Sequence, residues 1–277
     1  MVLLLLWVVV VEALQLSSTT CGSGPPRVVL IHGTFHDQRC FEEHWLPYLA
    51  DNGVEATAVS LRGTRGTSLG KVRLGEHVAD VAEFLPAIVV GHSFGGPVAM
   101  ELARLRPREV RGLALFCSVP PSGNSGMTWR TLRRSLGEAV LITRGFALKT
   151  AAKNSRDAKR LFFSNENVDD DELERYVSWF RDNAASSLDL RDFQRNLPSR
   201  FADENGVATF LNRTMPRLVV GAQNDLVVDE VAVRETAQFL GVDPLIVPDV
   251  PHDLMLGARW RPGCDALLAW ISASSMR

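Results

Sequence analysis

The pattern of apolar and polar positions divides the chain into an alternating part and a helical part. Residues 27–31, 55–61, 87–90 and 112–118 are short continuous apolar runs, as in strands buried on both faces of a parallel sheet. Between them, apolar residues recur at helical spacing. Phe41, Trp45 and Leu49 lie in a helix predicted over 38–50 and stopped by Asn52-Gly53, and His77, Val78, Val81 and Leu85 in one over 74–85. Val98, Met100, Leu102, Ala103 and Leu105 continue a third beyond Gly95. This order predicts an α/β fold: a mostly parallel central sheet with helices on both faces, binding ligands at the carboxyl ends of its strands.

From Pro120 to about Thr214 the alternation stops. Trp129, Leu132 and Leu136 are predicted to share one helical face, and Leu173, Tyr176, Val177 and Phe180 another, behind the acidic start Asp169-Asp170-Asp171-Glu172. Alternation resumes with a strand over 216–221, a helix over 228–240, a strand over 244–247 and a last helix over 266–272. The expected organisation is a core of residues 27–119 and 215–277. A helical cap, 120–214, is inserted after the strand that follows the third helix and covers the strand ends as a lid.

Residues 1–26 stand apart. Met1–Val11 is almost wholly apolar, but Glu12 and Gln15 interrupt it before the roughly 18 residues that a membrane-spanning helix needs. Two readings stay open: the h-region of a secretory signal lacking a preceding Lys or Arg, and a β-branched buried strand or hairpin. Membrane association and localisation stay open with them. Ser17–Pro26, rich in Ser, Thr, Gly and Pro, reads as a loop.

Composition narrows the function classes. The 277 residues have room for one large domain with an insertion, and a net charge of -2 gives no footprint of a global nucleic-acid binder. Cys21, Cys40, Cys117 and Cys264 form no C-x-x-C pair, which argues against a zinc knuckle or redox motif. Cys117 reads as a buried thiol, and one disulfide among the others stays open. His32 and His36 are four apart on a loop without a third ligand, and no phosphate-loop lysine follows the glycines near 95, so neither a metal nor a cofactor is expected.

Chemistry is carried by Gly91-His92-Ser93-Phe94-Gly95, a G-x-S-x-G turn between an apolar strand and a helix. Such an elbow lifts the Ser93 hydroxyl clear of the sheet and leaves backbone N–H groups free at the helix start, where they can hold an oxyanion. A serine needs a base and a group that orients the base. His252, in the loop directly after the last strand, is the natural base; Asp225, in the loop after the preceding strand, is the acid, with Asp229 as the alternative. Among the other histidines, His32 is expected to stabilise its turn, His92 to point away from the nucleophile, and His44 and His77 to lie on helix surfaces or interfaces.

His32-Gly33, the elbow, Asp225 and His252, in the order Ser, Asp, His, resemble the α/β-hydrolase superfamily from about Arg27 to the C-terminus. His32-Gly33-Thr34-Phe35-His36-Asp37 and Ser60-Leu61-Arg62-Gly63 look like its small serine-esterase, lysophospholipase-like branch. The family's opening antiparallel strands have no clear counterpart. The resemblance implies an oxyanion hole made by the N–H groups of Phe94 and Thr34, with Phe35 as an alternative. Family dehalogenases and epoxide hydrolases use an aspartate nucleophile, so Ser93 points to acyl transfer on a carboxylic ester or thioester. The expected partner is a small-molecule ester with an apolar acyl group, and Phe35, His36 and Trp129 are the candidate substrate contacts. A hydroxynitrile-lyase-type reaction and a ligand-binding receptor with little turnover are the alternatives. The basic stretch 129–160 reads either as a rim attracting an anionic substrate or as helices that pair their own charges, the second being favoured.

Overall fold

The computed structural model describes residues 16–65, 69–164, 168–185, 187–212 and 214–275; the apolar run Met1–Val11 and both readings of it lie outside these. Nine strands are present among the described residues: β1 (Ser18–Cys21), β2 (Arg27–Ile31), β3 (Glu55–Val59), β4 (Lys71–Val72), β5 (Ala87–His92), β6 (Val110–Phe116), β7 (Ser187–Leu188), β8 (Arg217–Ala222) and β9 (Leu245–Val247). Seven form the central sheet in the order β1-β3-β2-β5-β6-β8-β9, while β4 and β7 pair with each other. All neighbours in the large sheet are parallel except β1, which runs antiparallel to β3.

β1 corrects the reading of Ser17–Pro26 as a loop and supplies an antiparallel opening strand. An edge strand pairs on one side only, and the burial of β1 alternates between exposed and half-buried. Its sequence, Ser-Thr-Thr-Cys, therefore carries no apolar run that would announce it.

The helices are α1 (Arg39–Glu42), α2 (Trp45–Asp51), α3 (Leu74–Ala82), α4 (Gly95–Leu105), α5 (Ser125–Arg134), α6 (Leu136–Ala147), α7 (Ser155–Phe162), α8 (Asp170–Asp182), α9 (Leu190–Arg195), α10 (Glu230–Leu240) and α11 (Arg261–Ser275). The helix predicted over 38–50 is in fact two short ones, α1 and α2, separated at Glu43-His44. Alternate strand residues feed two cores. Val28, Leu30, Val90 and Phe116 pack with Trp45, Leu46, Leu267 and Ile271 on one face; Val29, Ile31, Val89 and Leu115 pack with Val81, Val98, Leu102 and Phe239 on the other. This period of two, with both faces covered by helices, is why the strands read as unbroken apolar runs.

Helices α5 to α9 lie between β6 and β8, where the chain leaves the carboxyl end of a central strand. α8 buries Leu173, Tyr176, Val177 and Phe180, the predicted face, behind an Asp169 cap that accepts from Glu172 N. α5 differs from expectation. Ser135 leaves the helical conformation, ends α5 and caps α6, so Leu136 belongs to the next helix. Trp129, Leu132 and Leu136 are 57%, 44% and 68% exposed, and the residues α5 buries are Met127 and Thr131.

The fold converges on Gly95. A Cβ there would stand 2.4 Å from Ile31 O and 2.8 Å from His32 O, backbone atoms that cannot give way without moving β2. Gly95→Ala is expected to cost about 2–4 kcal/mol in urea unfolding; a loss under about 0.5 kcal/mol would mean that β2 and α4 are not packed this closely.

Candidate active site

Ser93 occupies the left-handed region, with φ +52°, between β5 and α4. Its N–H donates to Phe116 O at 3.0 Å, and its carbonyl accepts from Gly96 N and Val119 N. The turn is possible because Gly91 packs directly on Gly95: a Cβ on Gly91 would come within 2.5 Å of Gly95 O. Gly33 crosses above, and a Cβ on it would lie 2.8 Å from Ser93 Cβ. The hydroxyl is therefore delivered to the strand ends by contacts between backbones.

The parallel pairing of β8 and β9 brings two loops to the same place. Gln223 N donates to Val247 O and Asn224 N to Val250 O, which sets Asp225 beside His252. Asp225 Oδ1 accepts from Val227 N at 2.7 Å and Val228 N at 2.8 Å, and Oδ2 accepts from His252 Nδ1 at 2.8 Å. With Nδ1 donating, Nε2 is free to accept the hydroxyl of Ser93, whose Oγ lies 3.1 Å away. Burial disfavours the charged imidazole of His252, but the Asp225 carboxylate, its hydrogen bond and the nearby Asp253 outweigh that and raise its pKa above 6.5. Asp229 is elsewhere: it caps α10 through Ala232 N and forms a two-pronged pair with Arg130.

A cavity of about 570 Å³ opens over Ser93. Its apolar wall includes Phe35, Val72, Met127, Ile142, Phe146 and Phe193, drawn from the β2 loop, β4 and the inserted helices. Phe35 stacks on Phe146 with ring centroids 5.7 Å apart. Beside Ser93, the N–H groups of Thr34, Phe35 and Phe94 have no acceptor among the described residues.

A family model described as the alpha/beta hydrolase family matches residues 28–261. The chain belongs to this family. Among curated relatives, Mycobacterium tuberculosis lipase LipV is 37% identical over 103 residues, covering 34% of this chain and 38% of that protein. Epoxide hydrolase B of the same organism is 37% identical over 108 residues, covering 35% and 30%. The chain thus spans well under half the length of the curated relatives it matches. The fold is shared with a thermophilic esterase from Thermogutta terrifontis, at TM-score 0.69, 16% identity and coverage of 94% and 93%. It is also shared with a monoacylglycerol lipase from Paleococcus ferrophilus, at TM-score 0.61, 16% identity and coverage of 94% and 99%.

In this alpha/beta hydrolase several sequence-based expectations need correction. Trp129 does not reach the cavity; it is exposed, and the Arg133 guanidinium lies 5.1 Å from its ring centroid. His36 is among the residues lining the cavity, but both of its ring nitrogens are committed, to Asp253 and Thr34 O, in a side chain 2% exposed. Of the two expectations for His77, helix surface or interface, the structure gives the second: it is 7% exposed, lines the cavity, and meets Phe94 edge to face at 5.5 Å. The predicted helical spacing was right, but it placed His77 on the buried stripe beside Val78 and Val81 without saying what that stripe covers. Met127 and Thr131 were missed because the exposed face of α5 carries the larger apolar residues, and Ile142 of α6 also lines the cavity. All four cysteines are free. Arg134, Arg144 and Lys159 pair with Glu138, Asp157 and Asp170 of the inserted helices, in line with self-pairing in the basic stretch, whereas Arg130 pairs with Asp229 of the core.

Other histidines behave as expected. His32 closes its turn by donating from Nδ1 to Gly33 O and accepting Leu61 N at Nε2. His92 points behind the site, donating from Nε2 to His252 O at 3.0 Å. Two buried groups, His92–His252–Asp253 and Cys117–Asp225–His252, bring possible ligand atoms within 4.8 Å. Each would require His252 to give up the hydrogen bonds that join Asp225 to Ser93.

These protonation preferences fix a stability profile. Burial lowers His32 and His77 to about 4 and His92 to about 3, while His36 and His252 are raised above 6.5. Below pH 6.5, unfolding lets the first three histidines take up protons, so stability falls with decreasing pH. Above pH 6.5, the other two hold protons only when folded, so stability falls as pH rises through their folded values. The thermal midpoint is expected to peak near pH 6.5, about the ordinary imidazole value. A midpoint rising steadily from pH 5 to 8 would overturn this assignment of charge.

Proposed function

We propose that this chain is a serine hydrolase that cleaves a carboxylic ester or thioester. The observation that carries the reading is His252, bridging Ser93 Oγ at 3.1 Å and Asp225 Oδ2 at 2.8 Å in a buried, strand-end position. Ser93 Oγ attacks the substrate carbonyl as His252 Nε2 takes its proton, and Asp225 holds the tautomer and stabilises the imidazolium that forms. The unpartnered N–H groups of Phe94 and Thr34 receive the developing oxyanion. The alcohol or thiol leaves with the proton from His252, and water releases the acid from the acyl-enzyme by the same steps in reverse.

Among the chemistries named for the relatives, Ser93 favours acyl transfer. An aspartate nucleophile would form an ester with an opened epoxide, and a serine at that position favours acyl transfer instead. The helical insert acts as a cap whose inner face, with Met127, Ile142 and Phe146, offers an apolar surface to the acyl group. Arg134 and Arg144 of the cap pair with cap acids and Arg130 with Asp229 of the core, while Lys149 and Arg62 are the cationic residues that line the cavity.

Intact-mass labelling with a fluorophosphonate tests the reading directly. One label per chain is expected in the wild type, and none in Ser93→Ala. His252→Ala and Asp225→Asn are expected to label far more slowly, and turnover of p-nitrophenyl esters should fall by about ten-thousandfold or more in Ser93→Ala and His252→Ala. A folded wild type that binds ester analogues tightly but takes no label would replace the hydrolase with a binding protein. The acid limb of labelling is expected to have its midpoint above pH 6.5, because His252 must be neutral to act and its pKa is raised.

A further inference from the structure

Behind the triad histidine lies a second histidine–carboxylate pair that the hydrolytic steps leave unused. His36 Nε2 is 2.9 Å from Asp253 Oδ2, with the two side chains 2% and 0% exposed. His36 Nδ1 is 2.8 Å from Thr34 O. A carbonyl only accepts, and an ionised carboxylate only accepts, so both ring nitrogens must donate. The pair is an imidazolium facing a carboxylate, sealed from water by Phe162 and Phe180, whose ring centroids lie 5.9 and 4.8 Å from that of His36. Burial opposes both charges, yet each partner outweighs it for the other: His36 is raised and Asp253 lowered.

The position of the pair gives it a use. His36 lies in the loop that carries Thr34 and Phe35, and Asp253 follows His252 directly. One buried contact therefore joins the loop offering an oxyanion donor to the loop offering the base, across 217 positions of sequence. The second loop is held on two further sides, by Asp253 N donating to Phe162 O and by His92 Nε2 donating to His252 O. We propose that His36 and Asp253 are a positioning pair for the active site, clamping the Thr34 loop to the His252 loop and fixing the charge that the base faces.

This rests on the serine-hydrolase reading of Ser93, His252 and Asp225. The groups around His252 are Asp225 from the β8 loop, Ser93 and His92 from the end of β5, Cys117 from the end of β6, and Asp253 from its own loop. His92 is neutral, with its pKa lowered to about 3, and burial pushes the Cys117 thiol up, so it is neutral as well. The charges that remain are Asp225, Asp253 and the His36 imidazolium. Removing Asp253 takes a carboxylate away from His252, whereas removing His36 leaves that carboxylate uncompensated. The two changes must push the base in opposite directions.

The test is the pH dependence of fluorophosphonate labelling in wild type, Asp253→Asn and His36→Gln, together with the ring titration of His252 by NMR in the same proteins. Asp253→Asn is expected to move the acid limb to lower pH and His36→Gln to higher pH, each with a plateau rate about tenfold or more below wild type. A purely structural pair would lower the plateau and leave the limb in place. Shifts of the same sign, or none, would overturn the proposal. If the wild type takes no label, the hydrolase reading fails, and the NMR titration of His252 still decides the pair on the same criterion. If neither variant folds, the wild type decides: His36 is expected to show two protonated ring nitrogens at pH 7, and a single protonated nitrogen would overturn the clamp.

Discussion

Ser93 is held in a backbone conformation that a non-glycine residue enters at a cost of about 1–3 kcal/mol. The contacts around it keep the residue there: Gly91 on Gly95, Gly95 on the carbonyls of β2, and Gly96 on Ser118. Each closes a gap that a methyl group would prop open. The strain is local, but the restraint is shared by β2, β5, β6 and α4, so the elbow cannot relax without parting the centre of the sheet. In the proposed reaction, a serine fixed in this way has little freedom left to lose on reaching the transition state.

The same economy of backbone contact sets the rest of the site. β8 and β9 pair in register over Val220–Ala222 and Leu245–Val247, and the loops that follow inherit that register. Asp225 is then anchored by Val227 and Val228 rather than by another side chain, which leaves one of its oxygens for His252. The inserted helices contribute much of the cavity's apolar wall, with Lys149 beside it. Arg144 and Thr150 both bind Asp157, and Arg130 reaches back to Asp229 on the core, so these polar groups are tied to one another and to the seam with the core.

Much of this was legible in the sequence, for a physical reason. Strands covered on both faces must be apolar throughout, so β2, β5 and β6 announced themselves, and the elbow glycines marked where two backbones touch. Ser93 followed from the elbow motif and Asp225 and His252 from their places after the last two strands, and the structure brings the three together. What was hidden is what one-dimensional spacing does not encode. β1 is short and half-exposed, so it has no apolar run. The face of α5 seen in sequence was the solvent face, since Trp129 and Leu132 outweigh Met127 and Thr131 in any tally of apolar residues. The burial of His36 and His77 depends on elements far away in sequence, including α8, α9 and the His252 loop.

His252-Asp253 shows why adjacency along the chain is a poor guide to partnership. An acid next to the base looks like its natural partner, yet consecutive side chains leave the backbone in divergent directions, and Asp253 turns inward to His36 while His252 turns to Asp225. The division is chemically useful. Had Asp253 taken Nδ1, the acid and the base would ride on one loop and move together. With Asp225 on the β8 loop, the imidazole is gripped from outside its own segment, while the second carboxylate holds that segment against the loop of Thr34. Two acids and two histidines thus divide orientation of the base from placement of its loop, and neither carboxylate is left without a donor in the dry interior.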